Sequence, residues 1–312
     1  RLRAAELARM AGDADDAAAQ LAAARDLAPD DVGALVLAVE TAAAPSLEAL
    51  GEAAYADAMV QRAELLGMRA DLAADVRGRA SWELDRALAL EHAGRLAEAG
   101  RVVAGVLRGA PDDLRALEAL RRMSYVGGDL RTAARAAFHL GKRLGDPTSR
   151  VARLREAAAI FDPLAAQSPA AQQARDAGAA IAAYRRILAI ERGGPEFDAL
   201  LALLRADGDA EGMVQAITEQ LGWLAASADT RLDVDPDAPM TLLLERATVR
   251  HGRGDQPGAA ADLDAVLSHD PERGDALRFR GDLAATQGEI DLAIEMWRRY
   301  LDVEARPARR RG

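Results

Sequence analysis

Cysteine is absent from the 312-residue sequence, lysine occurs only as Lys142, and aromatic residues make up 4% of the chain. The lack of cysteine excludes disulfide bonds, thiolate metal sites and a cysteine nucleophile. No apolar stretch reaches the roughly 18 residues of a membrane-spanning helix, so membrane insertion is not expected. Runs of Val, Ile and Thr with a period of two are also lacking, which argues against β-strands.

Alanine accounts for the unusual combination of 50% hydrophobic residues with so few aromatics. It is the best helix former, because its side chain loses no entropy when the backbone becomes helical. Most of the prolines stand between apolar segments, where they do not interrupt a helix. We therefore expect an all-α protein.

The balance of charge argues against a nucleic-acid partner. The chain has 40 basic and 50 acidic residues and a net charge of −10, whereas a domain that binds duplex DNA or RNA should have a basic surplus. The dominance of arginine over lysine is typical of a GC-rich bacterial genome. The first ten residues form an amphipathic pattern unlike a signal peptide, which favours a cytoplasmic location. They also lack an initiator Met, so the chain is expected to be part of a longer protein.

A motif recurs along the chain with a period of about 34 residues. Glycine is followed by a charged residue, by alanine five positions after the glycine, and then by large apolar residues with helical spacing. A weaker copy without the glycine starts at Ala180 and includes Tyr184 and Ile187. Full copies begin at Gly12, Gly94 and Gly254, and partial copies begin at Gly128, Gly208 and Gly288.

Each position of the motif has a physical explanation. Glycine ends a helix in the left-handed conformation that other residues adopt at a cost. The carboxylate after it meets the free N–H groups and the positive dipole at the start of the next helix. Alanine allows two helices to approach closely, and the apolar residues form a buried stripe. The motif thus predicts pairs of helices joined by a tight turn.

On these residues the chain resembles the tetratricopeptide repeat family. The small position in the first half of the family pattern is filled suitably by Ala5, Ala87, Ala247 and Gly281, but unsuitably by Arg121 and Leu201. The resemblance implies an α-solenoid, a right-handed superhelix of seven or so stacked helical hairpins.

Two regions depart from the period, and a loop interrupts the array. Repeats are expected over 1–227, degenerate at 32–80 and 148–178, followed by an Asp/Pro-rich loop at 228–239. Two further repeats at 240–305 and a basic, disordered tail at 306–312 complete the expected organisation. A long helix is predicted from near Met68 to His92, and interruptions are predicted at Pro163 and Pro169.

Motifs for catalysis or metal binding are incomplete. Asp233, Asp235 and Asp237 alternate as in a calcium loop, but Ala238 and Leu244 replace the required glycine and glutamate. None of the four histidines has close metal-ligand spacing, and no nucleophile–base pattern stands out. We therefore expect no enzymatic activity, no metal and no cofactor.

In the family that the chain resembles, the first helix of each hairpin lines a concave groove that binds proteins. A mixed-charge groove with a tyrosine suits an extended or helical peptide. The expected function is therefore a non-enzymatic scaffold or adaptor for a protein or peptide partner. Alternatives are a regulatory array attached to a catalytic or DNA-binding domain outside this chain, and a self-assembling array. The groove residues implied by the family's register are Glu91, His92, Glu118, Arg122, Tyr125, Arg205, His251, Arg278 and Asp282.

The last predicted helix, 289–304, carries large apolar residues on more than one side. Ile290, Ile294, Trp297 and Tyr300 recur with helical spacing, yet a single neighbouring helix covers only about half of the circumference. Some of these side chains should therefore be exposed. This predicts docking through Trp297 and Tyr300, on a partner or through self-association of the array ends.

Overall fold

The computed structural model describes residues 1–28, 31–41, 51–165, 169–192, 194–227 and 237–309. These residues form 17 helices and no strand, in two compact units, 1–190 and 191–312. The helices of the first unit are α1 (Leu2–Met10), α2 (Ala14–Leu27), α3 (Val32–Thr41), α4 (Glu52–Asp71), α5 (Val76–His92), α6 (Leu96–Gly109), α7 (Leu114–Val126), α8 (Leu130–Arg143), α9 (Pro147–Phe161), α10 (Pro169–Ala174) and α11 (Ala177–Leu188). Those of the second unit are α12 (Pro195–Asp207), α13 (Ala210–Ser227), α14 (Ala238–Gly252), α15 (Gln256–His269), α16 (Gly274–Thr286) and α17 (Ile290–Arg309).

Within each unit, helices pack mainly on the helices that precede and follow them in the chain. The regular hairpins are α5/α6, α7/α8, α14/α15 and α16/α17, and in each the first helix carries the family's small position. The core between them is built largely from alanine and leucine, as the composition predicts. Each unit is thus a stack of tetratricopeptide-like hairpins, which confirms the all-α class.

The turn chemistry is also confirmed. The six glycines of the motif all have left-handed backbone, with φ between 73° and 81°. Asp13, Asp129 and Asp255, which follow three of them, accept hydrogen bonds from backbone N–H groups three residues later at 3.0–3.1 Å. Such caps are worth about 1 kcal/mol each.

The motif alanines lie where helices touch most closely. Ala99 and Ala259 are fully buried, whereas Ala18 is exposed. We expect Ala99→Leu and Ala259→Leu each to lower the free energy of unfolding by about 1–3 kcal/mol through overpacking, and Ala18→Leu to be tolerated. Urea titrations compare the three variants. Equal effects at all three positions would show that the repeat register is wrong.

One helix prediction is wrong. The helix expected from Met68 to His92 is divided, because α4 ends at Asp71 and α5 begins at Val76. Asp75 caps α5 by accepting a hydrogen bond from the Gly78 N–H at 2.8 Å. The carboxylate therefore stabilises a new helix start within a segment whose alanines alone favour continuity.

Other boundaries fall near the expected positions. Helix α9 ends at Phe161, ahead of Pro163, and the short α10 starts at Pro169. At the carboxyl end, α17 extends past Ala305 to Arg309, into the segment expected to be disordered, since alanine and arginine favour the helix. Residues 228–236 of the expected loop, including Asp233 and Asp235, lie outside the described residues, as do Pro29 and 310–312.

Candidate functional site

The first helices of three successive hairpins in the first unit, α5, α7 and α9, are joined by ion pairs. Arg115 of α7 reaches Asp85 of α5, with 3.4 Å between nitrogen and oxygen. Two turns further along α7, Arg122 forms a bidentate pair with Glu91 of α5 at 2.8 and 2.5 Å. We call the exposed side of α5, α7 and α9 that carries these pairs the first-helix face.

Between α7 and α9, four side chains of alternating charge form a closed network. Arg121 binds Glu156 at 2.7 Å and Glu118 at 2.6 Å. Arg153 binds Glu156 at 2.9 Å and Glu118 at 3.4 Å. Each carboxylate therefore has two guanidinium partners, one on its own helix and one on the neighbouring helix.

The network perturbs the acid–base properties of Glu118 and its partners. Burial raises the pKa of the Glu118 carboxyl, but the hydrogen bond and charge of Arg121, with the charges of Arg153 and Arg122, outweigh burial, so that the net shift is downward. The hydrogen bond that Arg121 donates to Glu118 raises the pKa of Arg121, and the hydrogen bond that Arg122 donates to Glu91 raises the pKa of Arg122. Glu118, Arg121 and Arg122 are thus held in their ionised forms at neutral pH.

Three of the expected groove residues therefore already have partners within the chain. The side chains of Glu91, Glu118 and Arg122 bind groups on neighbouring helices, and that of Glu91 is only 15% exposed. The pairs fix the spacing of the first helices, although surface pairs contribute little individually to stability. A role of these three residues in binding a partner stays a prediction.

Apolar and aromatic side chains surround the pair of Glu91 and Arg122. Tyr125, one turn beyond Arg122, is 55% exposed, and Leu88, one turn before Glu91, is 42% exposed. The hydroxyl of Tyr55 lies 3.1 Å from Nδ1 of His92, and the two rings stack with centroids 6.4 Å apart. We call Tyr55, Leu88, His92 and Tyr125 the Tyr125 patch. Sequence reasoning identified His92 and Tyr125 but missed Tyr55 and Leu88. Of these two, only Leu88 could have been found from the sequence, because it lies at helical spacing from Glu91.

In the second unit, two of the expected groove residues, Arg205 and His251, also bridge neighbouring first helices. Arg205 of α12 binds Glu245 of α14 at 2.5 Å. His251 of α14 packs edge-on against Phe279 of α16, with ring centroids 5.5 Å apart. Asp282 accepts a hydrogen bond from Nε1 of Trp297 at 3.0 Å, and Arg278 is exposed. These residues lie in the other compact unit and are described separately from the Tyr125 patch.

The apolar residues expected to be exposed on the last helix are exposed. Ile290, Ile294, Trp297 and Leu301 form a stripe along α17, with Ile290 57% exposed. Ala293 and Met296 on the opposite side are buried, and Tyr300 is half-buried. The stripe confirms the expected exposure, while docking through it stays a proposal.

The part of the chain that the structure describes has neither a cluster of metal ligands nor a membrane-spanning helix. There, three or more His, Cys, Asp or Glu side chains do not come together in a way that would hold a metal ion. No helix in the same residues combines the length and apolar character needed to cross a membrane.

The sequence matches no protein-family model and no curated protein. Among solved structures, it is similar to a tetratricopeptide repeat protein from Parabacteroides merdae, with 14% identity, 82% of this chain and 91% of that chain covered, and a TM-score of 0.31. It is similar to the P58(IPK) TPR domain, with 16% identity, 96% of this chain and 91% of that chain covered, and a TM-score of 0.23. It is also similar to a chain of the APC/C hetero-tetramer Cut9–Hcn1, with 10% identity and a TM-score of 0.32. That match covers 93% of this chain and 56% of that chain. These values carry no functional conclusion. The period, the glycine turns and the hairpin stacking give the chain a tetratricopeptide-like fold.

Proposed function

We propose that the chain is a non-enzymatic scaffold that binds another protein through the first-helix face of its first unit. The observation that supports this most is the Tyr125 patch, in which exposed Tyr125 and Leu88 flank the ordered pair of Glu91 and Arg122. Tyrosine is enriched among residues that dominate binding energy, because it offers a large apolar ring and a polar hydroxyl. The ion pairs hold the helices in place before binding, which lowers the entropy lost on association.

The charges of this face indicate the chemistry of the partner. Because Glu91, Arg122, Glu118 and Arg121 neutralise one another, the face has little net charge to attract a strongly charged ligand. Burial of apolar side chains against Tyr125 and Leu88 should therefore contribute most of the affinity. A peptide segment with one or two large apolar anchors fits this surface better than an acidic or basic one.

The roles found for the histidines favour binding over catalysis. His92 contacts Tyr55, and His251 packs on Phe279. His139 has a lowered pKa, caused first by burial and then by the charges of Lys142 and Arg143. The rings of His92 and His251 thus pack against aromatic side chains, and burial with two neighbouring cations favours the neutral form of His139.

We expect Tyr125→Ala to reduce capture of the natural partner by about tenfold or more, as loss of a central aromatic anchor does. The measurement is affinity capture from the source cells with wild-type and variant chains, with quantitative mass spectrometry of what is retained. Leu27→Ala is the matched control, because Leu27 is an exposed apolar residue of another hairpin. Equal retention by wild type and Tyr125→Ala would contradict binding at this patch.

The exposed stripe on α17 favours a second mode, in which this helix docks on a partner or on another copy of the chain. Ile294→Ala, tested in the same capture experiment, separates the two modes. Loss of a retained protein with Ile294→Ala alone would assign that protein to the α17 stripe.

A further inference from the structure

A groove with a volume of 540 Å³ lies between α5 and α6, apart from the side chains of the Tyr125 patch. Its accessible apolar surface comes from Val76 and Ala80 of α5 and from Val102 of α6, whereas Leu90 and Val106 also border it but are buried. The lining residues of each helix recur every three or four positions, so one face of each helix borders the groove. Helix α4 packs against α5 but not extensively against α6.

The groove is elongated. Its lining runs from Val76 to Leu90 on α5 and from Glu98 to Gly109 on α6, with Ala110 directly after α6. At 1.5 Å per residue, these stretches are about 20 Å long, which equals about 13 residues of a third helix laid alongside. The shape therefore suits a short helix, which would complete a three-helix arrangement as in helix-in-groove recognition.

The rim of the groove is basic, although the chain as a whole has a net charge of −10. Glu83 pairs with Arg86 at 3.3 Å, and Glu98 pairs with Arg95 at 3.4 Å. Arg101 and Arg108 are exposed, and neither forms an ion pair within the described residues. Two guanidinium groups are thus available to carboxylates of a ligand.

The hairpin α14/α15 shows what a carboxylate does at the equivalent place. Arg246 and Asp262 stand 160 positions after Arg86 and Val102, the same interval that separates Gly94 from Gly254. Asp262 is 2% exposed and accepts hydrogen bonds from Arg246 at 3.0 and 2.5 Å. In α5/α6 the residue that corresponds to Asp262 is Val102. Arg86, which corresponds to Arg246, therefore has no carboxylate partner on α6.

We propose that the groove between α5 and α6 binds an acidic amphipathic helix of a partner protein. The apolar side of that helix would cover Val102 and the exposed Val76, and its carboxylates would pair with Arg101 and Arg108. The inference rests on the proposed function in one respect, that the ligand is a protein, but it concerns a different surface from the Tyr125 patch.

The test uses a synthetic, fluorescently labelled 14-residue helix with leucines at helical spacing and flanking glutamates. We expect saturable binding by fluorescence anisotropy that weakens as salt is raised. Replacement of the glutamates by glutamine should weaken binding about tenfold, and so should the double variant Arg101→Glu/Arg108→Glu. Val102→Asp should also weaken it about tenfold, because it would place a carboxylate on the apolar surface that the acidic helix is to cover.

Arg135→Glu is the matched control, since Arg135 is exposed on α8 one repeat after Arg101. Circular dichroism melts confirm that each variant is folded. The proposal is overturned if the peptide does not bind, if its glutamine form or a scrambled form binds equally, or if Arg135→Glu weakens binding as much as the groove variants. Competition by a second copy of the chain, seen as a dimer in light scattering, would also overturn it. Loss with Tyr125→Ala but not with Arg101→Glu/Arg108→Glu would place the peptide on the first-helix face, against this inference and in favour of the proposed function.

Discussion

Replacing Asp262 with alanine is expected to lower the free energy of unfolding by about 3 kcal/mol. Asp262 is buried between Arg246 and Arg250, whose side chains are largely covered, and it accepts hydrogen bonds from both. Its removal would leave two guanidinium groups without their counter-charge in a site with little access to water. The cost arises mainly from this uncompensated charge, since an ion pair as a whole stabilises little when buried.

Urea unfolding of the full chain measures the effect, with Asp302→Ala as a control on an exposed aspartate of the same unit. The control should stay within about 0.5 kcal/mol of wild type. The double variant Asp262→Val/Arg250→Leu would reproduce Val102 and Leu90 of α5/α6 and should recover part of the loss, since only Arg246 would then lack its counter-charge. An unchanged stability of Asp262→Ala would show that the arginines find water or other partners.

The second large effect is expected at the contact between Gly141 of α8 and Leu154 of α9. Leu154 is fully buried, so Leu154→Ala should cost about 3 kcal/mol by loss of burial and creation of a cavity. A Cβ atom at Gly141 would lie 2.5 Å from Cγ of Leu154, so Gly141→Ala alone should destabilise by overpacking. In the Leu154→Ala background, however, the same change should stabilise by about 1 kcal/mol, because it fills space and favours the helix.

This reversal of sign is the measurable signature, in a double-mutant cycle followed by urea unfolding. Gly100→Ala is the matched control, since a Cβ there meets no atom within 4 Å in the middle of α6. It should stabilise by up to about 1 kcal/mol in either background. The close contact would be refuted if Gly141→Ala and Gly100→Ala behaved alike in the wild-type chain.

Features of the fold that depend on neighbouring residues could be predicted from the sequence. The left-handed glycines and the buried alanines follow from a period that is repeated, so that each copy supports the others. The break between α4 and α5 was missed, because Ala73 and Ala74 favour a helix and nothing in the local pattern shows that Asp75 caps a new one. Capping depends on where the chain turns, which packing decides.

The candidate site was predictable by position but not by contact. The register places Glu91 and Arg122 on first helices, yet their pairing across 31 positions depends on how the hairpins stack. Tyr55 joins His92 from α4, whose region shows no repeat pattern. No sequence motif marks the groove between α5 and α6. The sign of it in the sequence is that Val102 occupies the place that Asp262 occupies in α14/α15.

The neighbour-to-neighbour packing of the hairpins has a consequence for folding kinetics. The ion pairs of the first-helix face join residues 30–35 positions apart, about one repeat, so closing each contact requires only a short loop. Chains rich in such local contacts fold at the fast end of the range for their size. Folding can also start at any hairpin and spread in both directions. Within a unit, an additional hairpin would therefore lengthen the chain without a proportional increase in folding time.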